Sequence, residues 1–445
     1  MSATTKSAEL FKRAQKVLPG GVSRNTIFRL PHPDYVEKGL GCYVTDIEGN
    51  TRIDFANNMA SLIHGHAHPE VTAAIVEQVQ KGTAFTLATE AEVEYAELLC
   101  SRVPGFEQIR FVNSGTEAVM AMLKAARAYT GKAKIAKVEG AYHGAYDYAE
   151  VSQTASPANW GEAEQPKSVP VAKGTPEGAL DDVIIIPYND IDTALSILNQ
   201  HKGELAGILL DPVSHRVGMV PAEDDFVEAL YQWTRDNSAL LLFDEVITFR
   251  VGFGGAQERY KVAPDLTAMG KMIGGGFPVG AFAGRREVMQ VLDPMQPKVL
   301  LPHSGTFSAN PVTMIAGMTA MKLFDQDAVD KLNALGDLAR ARISEAIEKV
   351  GIKACVTGAG SMLRVHFKEA APSNYRQAYT SADEAKAIKL ILDYMFDHGI
   401  MMINTCSAMF STAMTEKEIL TLAETLEAGF KHILAELPSL RKGAE

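Results

Sequence analysis

From around residue 69 onward, short apolar segments alternate with longer amphipathic segments, and this alternation limits the folds that the chain can adopt. The apolar segments include Gln108–Val112, Val183–Ile186, Gly207–Leu210 and Leu240–Phe243. Such continuous apolar strands suit a parallel sheet that is covered by helices on both faces. The pattern therefore predicts an α/β fold with a mostly parallel sheet.

The same pattern divides the chain into three predicted segments, residues 1–60, 61–325 and 326–445. The first indicates a helix, a Gly-rich turn and a hairpin at Glu48–Asn50. The second is a large domain, in which a helix is predicted from Pro69 to Lys81. The third begins with a long predicted helix over 326–350 and then mixes strands and helices, as in a smaller α+β domain.

Length, charge and cysteine content exclude several classes of protein. A chain of 445 residues exceeds one ordinary core and predicts two domains. The net charge of -11 argues against a nucleic-acid partner, which requires a basic surface. The four cysteines form no CxxC pair, which favours a reducing, cytoplasmic compartment. The polar, charged start of the chain predicts no signal peptide, and no apolar run reaches the roughly 20 residues of a membrane span.

Two charged residues stand where an α/β sheet places its ligands. Asp244 ends an apolar strand, and ligands bind beyond the carboxyl ends of such strands. Lys271 lies between an apolar segment and the glycines of Gly274–Gly276, which let backbone approach a ligand closely. A lysine in such a place can lose its proton and attack a carbonyl carbon. Taken alone, Asp244 also fits a turn carboxylate, and Lys271 also fits a surface lysine beside a flexible turn.

Two further motifs supply polar and aromatic groups. Ser114–Thr116 lies between a predicted strand and a helix predicted over Ala118–Tyr129, so its hydroxyls and N–H groups suit a phosphate. The same residues also fit a plain helix cap, and both interpretations can hold together. Tyr142 and His143 lie between glycines, where an aromatic ring can stack on a flat cofactor. Ser304–Pro311 is a polar stretch before another predicted helix.

Together these motifs supply what pyridoxal 5′-phosphate (PLP) requires: donors for its phosphate, an amine for its aldehyde and an acid for its ring nitrogen. In this order, they resemble a class III (ω-type) aminotransferase of PLP fold type I. Within that class they are most similar to glutamate-1-semialdehyde aminomutase and to β-amino acid and D-phenylglycine aminotransferases. The resemblance runs from Leu18 to Met414, and its motifs are Gly20–Val22, Gly65–Pro69, Asn113–Glu117, Tyr142–Gly144, Asp244–Val246 and Lys271–Gly280.

The resemblance implies a role for each matching residue. Lys271 carries the cofactor as a Schiff base and then shuttles a proton, and Asp244 pairs with the protonated ring nitrogen. The cofactor ring lies between Val246 and Tyr142. The implied cofactor-binding residues are Ser114, Gly115, Thr116, Tyr142, His143, Asp244, Val246, Lys271 and Thr306.

The resemblance also implies an assembly and a substrate contact. Thr306 reaches the phosphate of a partner subunit, which implies a homodimer with shared active sites. The two termini form the small domain, and the N-terminal segment reaches the active-site entrance. Arg24 matches an arginine that grips the substrate carboxylate in β-amino acid aminotransferases; the alternative is an exposed loop arginine.

The sequence departs from the family pattern at two places. Asp211–Val213 stands where the family usually has Glu-Pro-Val, so the reach is one methylene shorter. Ile247–Arg250 lacks a glycine that the family commonly has there, and we assign Arg250 no substrate role.

Two further segments leave alternatives open. The histidines of His64–His68 alternate as on one face of a strand, but Gly65 and Pro69 interrupt it and PLP chemistry needs no metal, so no metal is predicted. The segment 150–180 is rich in Ser, Pro, Gly and Ala, and fits either a mobile cover beside the cofactor or a surface insertion.

The predicted function is a two-stage (ping-pong) transfer of an amino group from an amino acid, with β-amino acids as one option, to an oxo acid. An intramolecular aminomutase is the alternative, and it ranks second because Asn404–Met409 matches none of the aminomutase's own residues. A racemase or decarboxylase ranks third. A catalytically silent PLP-fold binding protein is disfavoured by the presence of Lys271 and Asp244.

Overall fold

The computed structural model describes residues 5–443, so residues 1–4 and 444–445 of the predicted terminal segments lie outside the described part. The strands are β1 (Val36–Leu40), β2 (Tyr43–Asp46), β3 (Thr51–Asp54), β4 (Gln108–Val112), β5 (Lys134–Val138), β6 (Gly161–Glu162), β7 (Gln165–Pro166), β8 (Val183–Ile186), β9 (Leu205–Leu210), β10 (Val213–Ser214), β11 (Val220–Pro221), β12 (Leu240–Asp244), β13 (Leu266–Gly270), β14 (Gly280–Gly284), β15 (Cys355–Thr357), β16 (Met362–His366), β17 (Ile400–Met401) and β18 (Ser407–Met409).

The helical segments fill the connections between these strands. They are α1 (Lys6–Ala14), the single turn α2 (Asn57–Ala60), α3 (Pro69–Lys81), α4 (Glu90–Arg102), α5 (Gly115–Thr130), α6 (Asp147–Glu150), α7 (Glu177–Asp181), α8 (Ile191–Asn199), α9 (Asp224–Asp236), α10 (Arg286–Met289), α11 (Pro311–Leu323), α12 (Gln326–Val350), α13 (Tyr375–Ala378), α14 (Ala382–Asp397) and α15 (Glu416–Glu436). None of them is long and apolar enough to cross a membrane.

A seven-stranded sheet in the order β4-β14-β13-β12-β9-β5-β8 forms the centre of the large domain. All neighbouring strands from β13 to β8 run parallel, and only β14 runs antiparallel to its two neighbours. One face packs on α5, whose Ala118, Val119 and Met122 are fully buried, and the other packs on α8 through Leu198 and on α9 through Phe226 and Leu230. The predicted α/β fold with a mostly parallel sheet, covered on both faces, is confirmed.

Strands from both ends of the chain pair in a second sheet. Its order is β1-β2-β3-β17, so a C-terminal strand adds to the N-terminal hairpin in parallel. A third sheet, β15-β16-β18, lies wholly in the C-terminal part and packs against α12. The predicted hairpin around Glu48–Asn50 is present as β2 and β3. The domain limits at residues 60 and 325 remain predictions.

Element limits agree with the sequence pattern where end signals are strong. Helix α3 begins at Pro69 and ends before Gly82, which has a left-handed φ of 123°. Helix α5, however, begins at Gly115 and not at the predicted Ala118. The Ser114 side chain accepts the Glu117 N–H, and the Glu117 carboxylate accepts the N–H of the residue before Ser114, so the reciprocal cap starts the helix three residues earlier.

Candidate active site

The carboxyl ends of the central strands open onto one cavity with a volume of about 580 Å³. Asp244 ends β12, Asp211 follows β9, and Lys271 follows β13. The start of α5 and the loop after β5 supply the remaining floor. All the predicted site residues except Thr306 line this cavity, so residues far apart in the chain meet at one place.

Asp244 is buried at the cavity floor, and both of its carboxylate oxygens have partners. Oδ1 accepts the Val246 N–H at 3.0 Å, and Oδ2 lies 2.7 Å from Nδ1 of the buried His143. Because each carboxylate oxygen has two lone pairs, each can accept a further donor. The pair therefore presents a fixed, oriented acceptor to a cationic donor in the cavity.

Lys271 is held in an uncommon backbone conformation at the edge of the same floor. Its φ is +49°, and left-handed backbone at a non-glycine residue costs roughly 1–3 kcal/mol unless the surroundings enforce it. Burial lowers the pKa of the Lys271 amine to about 8, although the charge of Asp244 raises it. The amine therefore becomes neutral, and so nucleophilic, at a lower pH than the amine of an exposed lysine does.

The start of α5 offers an anion site at the other end of the floor. Gly115 and Thr116 are the first residues of the helix, so their N–H groups have no partner within it and the helix dipole favours negative charge. The Thr116 hydroxyl also accepts the Ala145 N–H at 3.3 Å, which joins this helix start to the loop after β5. These donors suit a phosphate group.

A flat slot lies between this anion site and Asp244. A Cβ atom at Gly115 would lie 2.8 Å from Val246 Cγ1, and one at Gly270 would lie 3.2 Å from the same atom, so the glycines make room for the Val246 side chain. Tyr142 is half-exposed and meets His215 edge to face, with ring centroids 6.0 Å apart. The slot, the acid, the amine and the phosphate donors together fit PLP.

Sequence reasoning missed Lys137, a fully buried lysine on β5. Its Nζ donates to the carbonyl oxygens of Ala141, Ala149 and Val151 at 2.9, 2.8 and 2.7 Å. Those three residues belong to the segment that carries Tyr142 and His143. Burial lowers the pKa of Lys137 to about 7, but only the ammonium form has donors for all three carbonyls.

Asp211, where the chain departs from the family pattern, also lines the cavity. Its carboxylate is buried, and neither oxygen makes a well-formed hydrogen bond to a described residue. Burial raises the pKa of Asp211 to about 6, against the opposing influence of His143 and Ser214. The floor thus holds an acid without a well-formed hydrogen bond to a described residue, and the buried Nε2 of His143 likewise lacks a partner among the described residues.

The mouth of the cavity carries Arg24. Its Nη1 donates to Asn58 Oδ1 at 2.8 Å, and both side chains are exposed and line the cavity. Arg24 precedes a short 3-10 turn of the N-terminal segment, and it makes no other hydrogen bond to a described residue. The sequence singled out Arg24, but its partner Asn58 was not predicted.

Asn58 belongs to an unusual left-handed turn, α2. Four consecutive non-glycine residues have positive φ, with values of 44°, 47°, 56° and 71° from Asn57 to Ala60. Left-handed helical backbone costs roughly 1–2 kcal/mol per residue, less for asparagine. Asp54 Oδ1 accepts the N–H groups of Ala56 and Asn57 at 2.9 Å each, and the Asn57 side chain donates to the Met409 carbonyl at 2.7 Å. These buried bonds hold the turn in place.

The other residues singled out in the sequence lie away from the cavity. Thr306 is exposed and does not line the cavity of its own chain. Arg250 is fully buried, where it donates to Ser361 Oγ at 2.9 Å and to the Phe410 carbonyl, and burial lowers its pKa to about 9. Its contacts join the large domain to the C-terminal part of the chain.

Two histidines of the His64–His68 segment have separate hydrogen-bond partners. His64 lies 2.8 Å from both the Thr412 hydroxyl and the Ala320 carbonyl, and His66 lies 2.8 Å from Asp54. Within residues 5–443, no group of three or more His, Cys, Asp or Glu side chains is arranged to hold a metal ion.

The segment 150–180 has structure of its own. Strands β6 and β7 form a small ribbon, and α7 follows it. Arg376 of α13 binds Glu139 with three hydrogen bonds of 2.9, 3.0 and 3.3 Å and donates to the carbonyl of Gly161 at 2.9 Å. The C-terminal part of the chain therefore holds the ribbon. The role of the segment 150–180 as a mobile cover remains a prediction.

Comparison with known proteins identifies the family of the chain. The family model of class III aminotransferases matches residues 29–430. A glutamate-1-semialdehyde 2,1-aminomutase from Lachnoclostridium phytofermentans is 39% identical over 423 residues, which cover 93% of this chain and 96% of that protein. An omega-transaminase from Sphaerobacter thermophilus has a TM-score of 0.94 at 43% identity and covers 97% of this chain and 98% of its own.

A third similar protein is a beta-phenylalanine aminotransferase from Variovorax paradoxus. Its structure has a TM-score of 0.86 at 31% identity, covering 99% of this chain and 96% of its own. The fold and the cavity thus define an enzyme of PLP fold type I. The chain belongs to the class III aminotransferase family, whose members depend on PLP.

Proposed function

We propose that this enzyme moves an amino group from a carboxylate-bearing amine, with β-amino acids as the favoured class, to an oxo acid in two stages. The observation that carries this proposal is the polarity of one cavity. Its floor holds the low-pKa amine of Lys271 and the buried carboxylate of Asp244, and its mouth holds the exposed cation Arg24. A donor with an amine at one end and a carboxylate at the other suits this arrangement.

When bound, PLP supplies an aldehyde for the amino group and a ring that accepts electrons from the carbon that loses its proton. In our proposal, Lys271 Nζ takes that proton and delivers it, in the same half-reaction, to the carbon that carried the cofactor's aldehyde; the opposite half-reaction runs this shift in reverse. Asp244 keeps a proton on the ring nitrogen, and His143 orients the Asp244 carboxylate through the 2.7 Å contact. Val246 and Tyr142 hold the ring between them.

In this proposal, the start of α5 binds the phosphate. Ser114, Gly115 and Thr116 supply the hydroxyls and free N–H groups. The names of two similar solved proteins, an omega-transaminase and a beta-phenylalanine aminotransferase, support amino transfer between separate molecules. The similarity to the latter also supports a β-amino acid as donor.

We further propose that the enzyme is a homodimer with shared sites, located in the cytoplasm. Thr306 is exposed and does not line its own cavity, although the neighbouring Ser308 Oγ lies 3.4 Å from Asn113 Nδ2, which does. In this dimer, Thr306 of each subunit would enter the cavity of the other subunit and complete its phosphate site. The four cysteines are unpaired, which supports a reducing compartment.

A second candidate is an intramolecular aminomutase, because several curated relatives near 39% identity carry the name glutamate-1-semialdehyde 2,1-aminomutase. Such an enzyme returns the amino group to the same carbon skeleton, so it releases no new oxo acid. The exposed position of Arg24 at the cavity mouth favours free exchange of donor and acceptor.

The test is a panel of α-, β- and ω-amino acids and simple amines as donors, with pyruvate and 2-oxoglutarate as acceptors. Amino transfer predicts one new oxo acid or aldehyde for each amino group that appears on the acceptor. Conversion of glutamate 1-semialdehyde to its isomer, without any oxo-acid acceptor and without transfer in the panel, would overturn the proposal in favour of the aminomutase.

A further inference from the structure

The left-handed turn α2 places an asparagine amide against the arginine at the cavity mouth. Arg24 Nη1 donates to Asn58 Oδ1 at 2.8 Å, and no other described residue accepts a hydrogen bond from this guanidinium. One edge of the planar fork is therefore fixed by Asn58, while its remaining donors are free. A carboxylate requires parallel donors on one edge of such a fork.

The orientation of the Asn58 amide follows from a local network. Ser61 Oγ donates its only proton to the backbone carbonyl of Asn58 at 2.9 Å. Ser61 Oγ is therefore the acceptor in its 3.1 Å contact with Asn58 Nδ2. The amide nitrogen thus faces Ser61 and the amide oxygen faces Arg24. All three side chains line the cavity.

The backbone of α2 explains why an exposed side chain is held so firmly. Asn58 has a φ of 47° and a ψ of 56°, and the following residue, Met59, is left-handed as well. Buried Asp54 and the carbonyl of Met409 anchor the start of the turn. Strained backbone that persists in this way accumulates at ligand-binding sites, where it fixes a side chain before the ligand arrives.

We propose that Asn58 is a positioning residue that turns the Arg24 fork toward the carboxylate of the amino donor, and that it thereby sets the preference for carboxylate-bearing donors over simple amines. This inference rests on the proposed function, since it assigns a selectivity to the same reaction. Asn58 itself makes no contact with the reacting atoms. Its effect passes through Arg24.

Replacement by glycine tests the role without disturbing the turn. Glycine adopts positive φ without a steric cost, so Asn58→Gly removes the amide and keeps the backbone. The readout is the ratio of kcat/KM for a β-amino acid to kcat/KM for its decarboxylated amine. We expect Asn58→Gly to lower this ratio roughly ten-fold, mainly through KM, as the loss of an aligned charged hydrogen bond would.

Two further variants show whether the effect passes through Arg24. Asn58→Asp keeps a residue that tolerates left-handed backbone but places a carboxylate beside the guanidinium, so it should lower the ratio further by occupying the fork. In an Arg24→Ala background, Asn58→Gly should change the ratio by less than about two-fold, because the partner that it positions is gone. Asn25→Ala is the matched control, since Asn25 is exposed beside Arg24 and its side chain bonds to no described residue.

Binding provides a measurement that is independent of turnover. The dissociation constant of a simple carboxylate without an amino group should rise in Asn58→Gly by about the same factor as KM. The inference is overturned if Asn58→Gly leaves the ratio unchanged because kcat/KM is unaffected or falls equally for both donors. It is also overturned if Asn58→Gly has its full effect in the Arg24→Ala background. Absence of amino transfer from every donor in the wild-type enzyme would instead refute the proposed function.

Discussion

The two ends of the cavity are built in different ways. At the cofactor end, Asp244 and Lys271 lie at or directly after the ends of buried strands, His143 lies in the loop after β5, and Asp244 has partners on both oxygens. At the substrate end, Arg24 stands on an exposed turn and has one hydrogen bond to a described residue, to a side chain that is itself exposed. In the proposed function, the chemistry is thus fixed by the core, and selection depends on surface segments.

This difference suggests how one fold supports several named activities. Changes at the cofactor end disturb buried, mutually dependent groups, whereas changes at the mouth alter a few exposed contacts and leave the core intact. Similar proteins named as aminomutase, omega-transaminase and beta-phenylalanine aminotransferase share the fold of this chain. Variants at the two ends should therefore differ in whether their effects depend on the substrate.

The largest effect is expected at Lys271. Lys271→Ala removes the amine that moves the proton, so turnover with every donor should be nearly abolished, while PLP still binds without a covalent bond. Steady-state assays with a β-amino acid and a simple amine, together with equilibrium dialysis of PLP, check both halves of this expectation. Turnover close to that of the wild type would contradict the assignment of Lys271.

The second-largest effect is expected at Asp244. Asp244→Asn keeps the shape but loses the negative charge that favours a proton on the ring nitrogen, so donor proton removal should slow about a hundred-fold or more, as when a preorganised electrostatic contact is lost. Single-turnover exchange of the donor hydrogen with solvent deuterium measures this step. If the exchange rate were unchanged for both donor types, Asp244 would have only a structural role, as a turn carboxylate at the end of its strand.

The sequence predicts the cofactor end better than the mouth, for physical reasons. An apolar strand that ends in a carboxylate, or a helix that starts with Ser-Gly-Thr, is a local signal. The left-handed turn Asn57–Ala60 is not local, because its conformation depends on Asp54 and on the distant Met409 carbonyl. Strand β14 was also missed, since Gly-Ala-Phe-Ala-Gly has little intrinsic preference for a strand.

Lys137 shows a second limit of sequence reasoning. A lysine is almost never fully buried without a partner, so a lysine in a strand indicates an exposed position. Here the partners are three carbonyls of the loop after β5, and the sequence gives no sign that the loop returns to the strand.

At the mouth, the expected effect depends on the donor. Loss of a hydrogen bond to a charged group costs about 1.5–3 kcal/mol, so Arg24→Ala should lower kcat/KM for a β-amino acid roughly ten- to a hundred-fold. The decarboxylated amine should lose much less. Arg24→Lys should recover only part of the activity, since it keeps the charge without the fork. Equal losses on both donors would show that Arg24 supports the fold or the dimer and binds no carboxylate.

The smallest expected effect tests how the cofactor end is held. Lys137→Met keeps an unbranched side chain that is one atom shorter and removes the donors, so three buried carbonyls of the loop that carries Tyr142 and His143 lose their partner. Each unsatisfied buried group costs about 1–3 kcal/mol, part of which the loop recovers by shifting, so the dissociation constant of PLP should rise about ten-fold.

Lys134→Met provides the matched control for this measurement. Lys134 lies on the same strand, but its amine pairs with Glu204 at the surface, and such pairs contribute about 0–1 kcal/mol. The control should bind PLP as the wild type does. Because the loop affects the cofactor and not the donor carboxylate, Lys137→Met should reduce turnover of a β-amino acid and of its amine by the same factor. A loss confined to the carboxylate-bearing donor would mean that the two ends of the cavity are coupled through this loop.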